Sequence, residues 1–288
     1  MTRPQPGILA EVPTVARFVT LGLVPDADAR AALARLSELR VSGDQVIGVG
    51  APLVLAAGHA SVLGLRGFPA LVGPGCNVPS TQGAAWLFFR GEDPGEVLHS
   101  TRATLASLGG AFRVEEDTAT FRYAGGRDLS GYEDGTENPE GGRAREVAIR
   151  DDGASFVAAQ RWLHDLAHFE DLAPAERDAI IGRSRTTNEE LAGAPESAHV
   201  KRAAQESFDP EAFMLRRSMP FGGVGEHGLY FVAFGASLDP FERVLRRMVG
   251  LEDGIVDGLF RFSRPVSGGH YWCPPITSDE RLELAPMA

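Results

Sequence analysis

The sequence predicts an α+β fold of two ferredoxin-like (βαββαβ) halves packed as one unit, on three observations. Strand and helix signals run in the order βαββαβ twice along the chain. The helix-start pattern Asp93-Pro94-Gly95-Glu96 returns as Asp239-Pro240-Phe241-Glu242 at the matching place in the second half. The 288 residues, 43% of them apolar, suffice for two domains or one fold of two halves at roughly 150 residues per domain. The halves divide as residues 1–124 and 125–288.

Val15 to Val24 is rich in β-branched and aromatic residues and reads as a strand ending at Pro25, with Asp26 placed to cap the next helix. Ala27 to Arg40 puts Ala31, Leu33, Leu36 and Leu39 at near-helical spacing without internal Gly or Pro, and Gly43 ends it. Gln45 to Gly50 and Ala85 to Arg90 are strand candidates. From Asp93 a helix runs to Leu108 and stops at Gly109-Gly110, after which Ala111 to Glu116 regains β character. In the second half Ser155 to Gln160 reads as strand, followed by helical stretches over Leu163–Phe169 and Pro174–Ile181. Met214 to Ser218 and Leu229 to Phe234 are strands, Asp239 caps a helix to Met248, and a last strand lies around His270–Trp272.

Charge and cysteine content exclude several function classes. Lys+Arg 28 against Asp+Glu 39 gives a formal net charge of -11 with no basic run, which argues against a phosphate-neutralising surface and thus against nucleic acid as a partner. Cys76 and Cys273 are far apart and neither lies in a CxxC, so they are expected to be structural thiols in a reducing compartment. The opening Met-Thr-Arg-Pro-Gln-Pro-Gly has prolines where a secretion signal would be apolar, so a cytoplasmic location is expected. Val46 to Leu65 carries no formal charge, but its glycines and Pro52 make a buried strand and loop the expectation rather than a membrane span.

Between the halves lies a loop dense in Gly, Asp, Glu and Asn. It contains Gly131-Tyr132-Glu133-Asp134-Gly135-Thr136-Glu137-Asn138-Pro139, whose glycines allow tight turns and close approach of a flat ligand. Taken alone, Asp134-Gly135 also reads as an ordinary turn. His199 is the sole histidine of a long polar stretch, and on its own reads as a surface or satisfied core residue more often than as a ligand. Arg216 opens a strand that runs into apolar residues, and it must meet an anion or a carboxylate because it cannot lose its proton. His164 and His168 stand at i, i+4 and could share a helix face, although no HExxH pattern accompanies them.

Taken in order, these local motifs resemble the dye-decolorizing peroxidases, most closely the bacterial B-type group. Pro4 to Leu9 is similar to that group's opening, and Gly131–Pro139 to its GxxDGTENP signature. The likeness continues through Gly153–Val157, Gln160-Arg161, His164-Asp165-Leu166, Ile181–Arg185, Ser197-Ala198-His199, Arg216–Gly222, Gly228–Phe231 and Phe262-Ser263. It implies one haem b per chain in the second half, with His199 as proximal iron ligand and Asp257 as partner of its other ring nitrogen. On the opposite face Asp134 and Arg216 would flank hydrogen peroxide, Asp134 moving a proton between its oxygens and Arg216 meeting the charge on the leaving oxygen. Ser218 stands where that family often carries Asn. Leu229 and Phe231 would wall the distal face, Gly135 and Thr136 of the signature would lie beside the haem, and Arg183, with Arg185 as rival, would meet a propionate.

The implied activity is haem-dependent reduction of hydrogen peroxide by way of a ferryl intermediate, with dyes, phenolics or similar small aromatic reductants as one-electron donors and a homo-oligomer as the assembly. Trp162, Trp272, Tyr132 and Tyr271 are candidates to relay electrons from the surface, against the alternative that each is buried for packing. Two other readings are a haem- or porphyrin-handling protein of related fold, which would keep His199 but tolerate loss of Asp134 and Arg216, and a non-catalytic ferredoxin-like module.

Overall fold

Alternation of apolar residues at period two puts one face of each strand against helices and the other against its opposite number across a shared interior. The computed structural model describes residues 2–59 and 62–284, so residues 60 and 61 of the uncharged stretch and residues 285–288 of the second half lie outside it. The first half comprises α1 (Pro6–Leu9), β1 (Val15–Leu23), α2 (Ala29–Glu38), β2 (Gln45–Gly50), α3 (Ala51–Ala56), a small hairpin of β3 (Leu71–Gly73) and β4 (Cys76–Val78), β5 (Ala85–Gly91), α4 (Pro94–Leu108) and β6 (Phe112–Phe121). The second comprises α5 (Gly141–Ala148), β7 (Ser155–His164), α6 (Leu166–Asp171), α7 (Pro174–Ile181), α8 (His199–Arg202), β8 (Leu215–Arg216), β9 (Met219–Gly222), β10 (His227–Gly235), α9 (Asp239–Met248), β11 (Ser263–Pro265) and β12 (Gly269–Cys273).

Strand neighbours follow the order β6-β1-β5-β2 in the first half and β12-β7-β10-β9 in the second, the same 4-1-3-2 order twice. Every pairing is antiparallel. The halves join where Thr120 of β6 faces Phe221 of β9 and where Gly50 and Val49 of β2 face Tyr271 and Trp272 of β12, so the sheet closes on itself as a barrel. Phe18, Trp86, Phe88, Tyr230, Phe234 and Tyr271 fill its interior from both halves. There the Phe18 and Tyr230 rings stack at 4.2 Å and Trp86 Nε1 donates to Tyr230 Oη at 3.1 Å, so the indole in the barrel interior keeps a partner. The opposite faces of the strands carry Val19, Leu87 and Phe89 against α2 and α4, and Ala158, Trp162 and Ala233 against α9.

Several local expectations are corrected. Asp28, not Asp26, caps α2, accepting from Arg30 and Ala31 N–H, while Asp26 sits at φ 64. Asp239 is the first residue of α9 rather than its cap; its carboxylate is taken by Arg66 at 2.6 Å. The uncharged stretch turns into α3 after β2, with a proline in its first turn, instead of a loop. β6 runs on to Phe121 because β1 pairs with it over its whole length. β7 likewise runs to His164, since β10 and β11 hold Trp162 and Leu163 from both sides, and Asp165 then caps α6 by accepting from His168 N–H at 3.0 Å. His164 and His168 therefore do not share a helix face, and no group of three metal-ligating side chains occurs among the described residues.

Both cysteines are free and buried, as expected, and burial pushes the Cys273 thiol far up. The four proposed relay aromatics are all buried too, so they do not present a ring at the surface. Among the described residues no helix is long and apolar enough to cross a membrane.

Candidate active site

The outer faces of β7 and β10 present Gln160, Trp162 and His164 beside Leu229 and Phe231, and α8, α9 and the turn after Asp257 cover them. Between these layers is a slit lined also by Asp134, His199 and Arg216. It encloses about 700 Å³ between largely apolar walls.

His199 is the first residue of α8. Its Nδ1 lies 2.8 Å from Asp257 Oδ2, and the Asp257 side chain is 0% exposed. Asp257 caps the following turn, its other oxygen accepting from Leu259 N–H at 2.8 Å. A carboxylate only accepts, so Nδ1 carries a proton, and in the neutral ring Nε2 offers a lone pair with no protein partner among the described residues. Local packing fixes this geometry. Gly258 N–H donates to Ser197 O at 2.7 Å, and a Cβ on Gly258 would come within 2.9 Å of Ile180 O. Arg202, one turn further along α8, is buried and grips Asp253 with two bonds of 2.7 and 2.8 Å, which holds the Asp253 carboxyl below the usual range.

Asp134 and Arg216 line the same slit from the loop and from β8. The carboxylate of Asp134 makes no hydrogen bond among the described residues, and Arg216 Nε is buried without a partner. Sequence reasoning missed what brings them together: Asn138, within the signature, accepts from Arg216 N–H at 2.8 Å and donates to Arg216 O at 2.9 Å. Its amide imitates a strand edge, and the turn that aims it requires Gly135 at φ 75.

The other predicted residues are spread around this centre. Ser218 lies between β8 and β9 in a neighbouring cleft that Asp134, Gly135, Arg216 and Leu229 also border, and it does not line the slit itself. Gly135, Thr136 and Arg183 border a third space that includes His199. Arg183 is already held by Glu137 at 3.1 Å and Glu190 at 2.6 Å, so any further acid there enters an occupied ion pair. Arg185 instead packs its guanidinium against Gly131 and borders none of these three spaces.

The family described as Dyp-type peroxidase, C-terminal, matches residues 125–278, more than half of the chain. A dye-decolorizing peroxidase of Mycobacterium tuberculosis is 32% identical over 236 residues, 78% of this chain and 70% of that one. The chain belongs to the dye-decolorizing peroxidase family. A second such peroxidase, from Mycolicibacterium paratuberculosis, is 33% identical over 74% of this chain and 63% of its own. Among solved structures, a Rhodococcus jostii RHA1 DypB variant in complex with heme aligns with a TM-score of 0.88 at 29% identity over 97% of this chain and 99% of that one. A dye-decolorizing protein from V. cholerae aligns at 0.85 and 28% identity over 96% and 97%. The α+β architecture is thus that of the dye-decolorizing peroxidases.

Proposed function

We propose that the chain is a haem-dependent peroxidase that reduces hydrogen peroxide and oxidises dyes, phenolics and similar one-electron donors, with one haem b per chain held by His199. The observation that carries this reading is the pairing, across one thin slit, of a lone-pair nitrogen on His199 with a carboxylate and a guanidinium that have no other side-chain partner. The donor set fits the group: a neutral imidazole backed by a buried carboxylate is a haem-iron ligand, and the apolar walls of Leu229, Phe231, Val244 and Met248 suit a macrocycle. Haem, when bound, supplies an iron that takes two oxidising equivalents from peroxide and returns them to donors one electron at a time.

The chain's own residues do the rest. Asp257 holds the proton on His199 Nδ1 and so keeps Nε2 available and basic. The Asp134 carboxylate takes the proton from one peroxide oxygen and gives it to the other. Arg216 donates hydrogen bonds to the oxygen on which negative charge grows. Ser218 orders water for Asp134 from the adjoining cleft, and Gly135 and Thr136 carry the loop past the edge of the ligand. Arg183 meets a propionate at the mouth, sharing it with Glu137 and Glu190. We also assign the chain to the B-type group, to the cytoplasm, to a homo-oligomeric state, and to a division at residues 124 and 125.

An absorption spectrum of the haem-loaded protein before and after one equivalent of hydrogen peroxide tests the reading. The Soret band should shift on peroxide in the wild type, and be lost or displaced in His199→Ala. Asp134→Ala and Arg216→Ala should retain the band but react about a hundredfold or more slowly with peroxide. Full reactivity of both variants would favour a porphyrin-handling protein, and absence of haem uptake would leave only a non-catalytic module.

A further inference from the structure

Two spaces share a wall at the end of β7. His164 and Ser263 border both the slit and a separate, more open surface cleft of about 1070 Å³. The wall is a hydrogen-bonded chain: His164 Nδ1 is 2.7 Å from Ser263 Oγ, and Nε2 is 3.0 Å from Asp128 Oδ1. The histidine side chain is 6% exposed and is flanked by the Phe262 ring at 5.5 Å. Burial alone would raise the Asp128 carboxyl, but His164 and Ser130 together hold it below the usual range. As an ionised acceptor it takes Nε2–H, so Nδ1 is left to accept the Ser263 hydroxyl proton. The Ser263 oxygen then has lone pairs for a donor of its own. A staple tying the residue-128 turn to β7 and β11 would use the same bonds, yet a staple has no need to stand between two open spaces.

We propose that the outer cleft docks a neutral phenol and that Ser263, His164 and Asp128 take its proton as its electron crosses to the cofactor in the slit. Leu163, Leu166 and Phe260 supply apolar walls for the ring, and the hydroxyl faces Ser263. The phenol O–H bond breaks toward Ser263 Oγ while Ser263 passes its own proton to His164 Nδ1, and the imidazolium forms beside Asp128. The phenol gives up one electron toward the cofactor that the slit would hold, with peroxide as the ultimate oxidant, and is left as a phenoxyl radical. Ser263 also borders the slit, so the chain reaches the side of the wall where a cofactor would sit and where the proton would be given up to water formation. Two such events balance each turnover: H2O2 + 2 ArOH → 2 H2O + 2 ArO•.

This inference rests on the peroxidase reading, and two donors separate their failures. Guaiacol gives up an electron and a proton, whereas ferrocyanide gives up only an electron. In the haem-loaded enzyme His164→Gln should lower kcat/KM for guaiacol about tenfold or more, abolish its solvent deuterium isotope effect, and lower the ferrocyanide value far less. Ala167→Trp, on the exposed side of α6 within the cleft, should weaken guaiacol binding to the resting enzyme in ligand-observed NMR about fivefold or more. It should leave the Soret response to peroxide unchanged. Equal losses for both donors in His164→Gln would reduce the chain to a staple and overturn the proposal. So would unaltered guaiacol binding in Ala167→Trp. A wild-type enzyme that oxidised neither donor would overturn the peroxidase reading with it.

Discussion

At the scale of single residues, the site depends on side chains that replace backbone partners. Asn138 makes two bonds to the Arg216 main chain, and nothing else among the described residues ties the Asp134 loop to β8 at that point. Asn138→Ala would leave Arg216 N–H unpaired and its C=O with Arg217 Nη1 alone at 3.0 Å, and let the acid and the guanidinium drift apart. A displacement of that order costs about a hundredfold in a reaction that needs both groups on one peroxide. The expected result is a peroxide reaction slowed by roughly that factor, with the Soret band of the resting enzyme retained; an unchanged rate would show that the loop needs no clamp. Asp134, His199 and Arg216 each stand in a local motif and Asp257 entered only through the family resemblance, and the structure brings the four side chains to one place. Asn138 stood in the same motif, but its partner is 78 positions away, and only strand placement reveals it. The same holds for His164, whose partners Asp128 and Ser263 come from a loop and a short strand that sequence reasoning left unconnected to it.

At the scale of elements, the legible ones had their signals within a few residues. Asp93 does accept from Gly95 and Glu96 N–H, and α4 does stop at Gly109. The failures came where tertiary pairing prolonged or shortened a segment: β7 continues through residues of helical spacing because two strands hold it, and Asp239 serves Arg66 instead of its own helix. β12 shows a further consequence of burial that periodicity does not reveal. His270 on that strand is 0% exposed between Phe68 and Phe241 of α9, neither ring nitrogen has a hydrogen-bond partner, and Glu242 Oε1 is 3.7 Å away. Burial, helped by the Arg66 charge, pushes its pKa from 6.5 down to about 3. Between those values the unfolded chain binds the proton and the folded chain does not, so stability is full above about pH 6.5 and falls as pH drops toward 3. His270→Leu removes that loss. In urea titrations the wild type should lose about 2 kcal/mol more than the variant between pH 7 and pH 5. Equal losses would mean that His270 is already paired or hydrated in the folded state.

At the scale of the whole molecule, the two halves repeat one strand order but do not keep separate cores. The seams between them are short, one residue pair between β6 and β9 and two between β2 and β12, which are too few to hold two independent sheets together. What joins them is the barrel interior, where Phe18 and Trp86 of one half stack on Tyr230 and Tyr271 of the other. The chain end adds to this, because Ile276 and Leu282 return to the core of the first half and Arg3 pairs with Ile276. The two repeats were legible in the sequence, but their closure was not, since period-two alternation is the same whether a sheet's inner face meets helices or another sheet. Each half alone would expose one side of that aromatic interior to water, a loss of several kcal/mol per large ring. The expected outcome is a single calorimetric transition for the whole chain, with Phe18→Ala lowering it as one peak by about 3 to 5 kcal/mol of stability. Two separated peaks, or a folded fragment of residues 1–124 expressed alone, would show instead that the halves are domains in the thermodynamic sense and that the slit rests on the second one by itself.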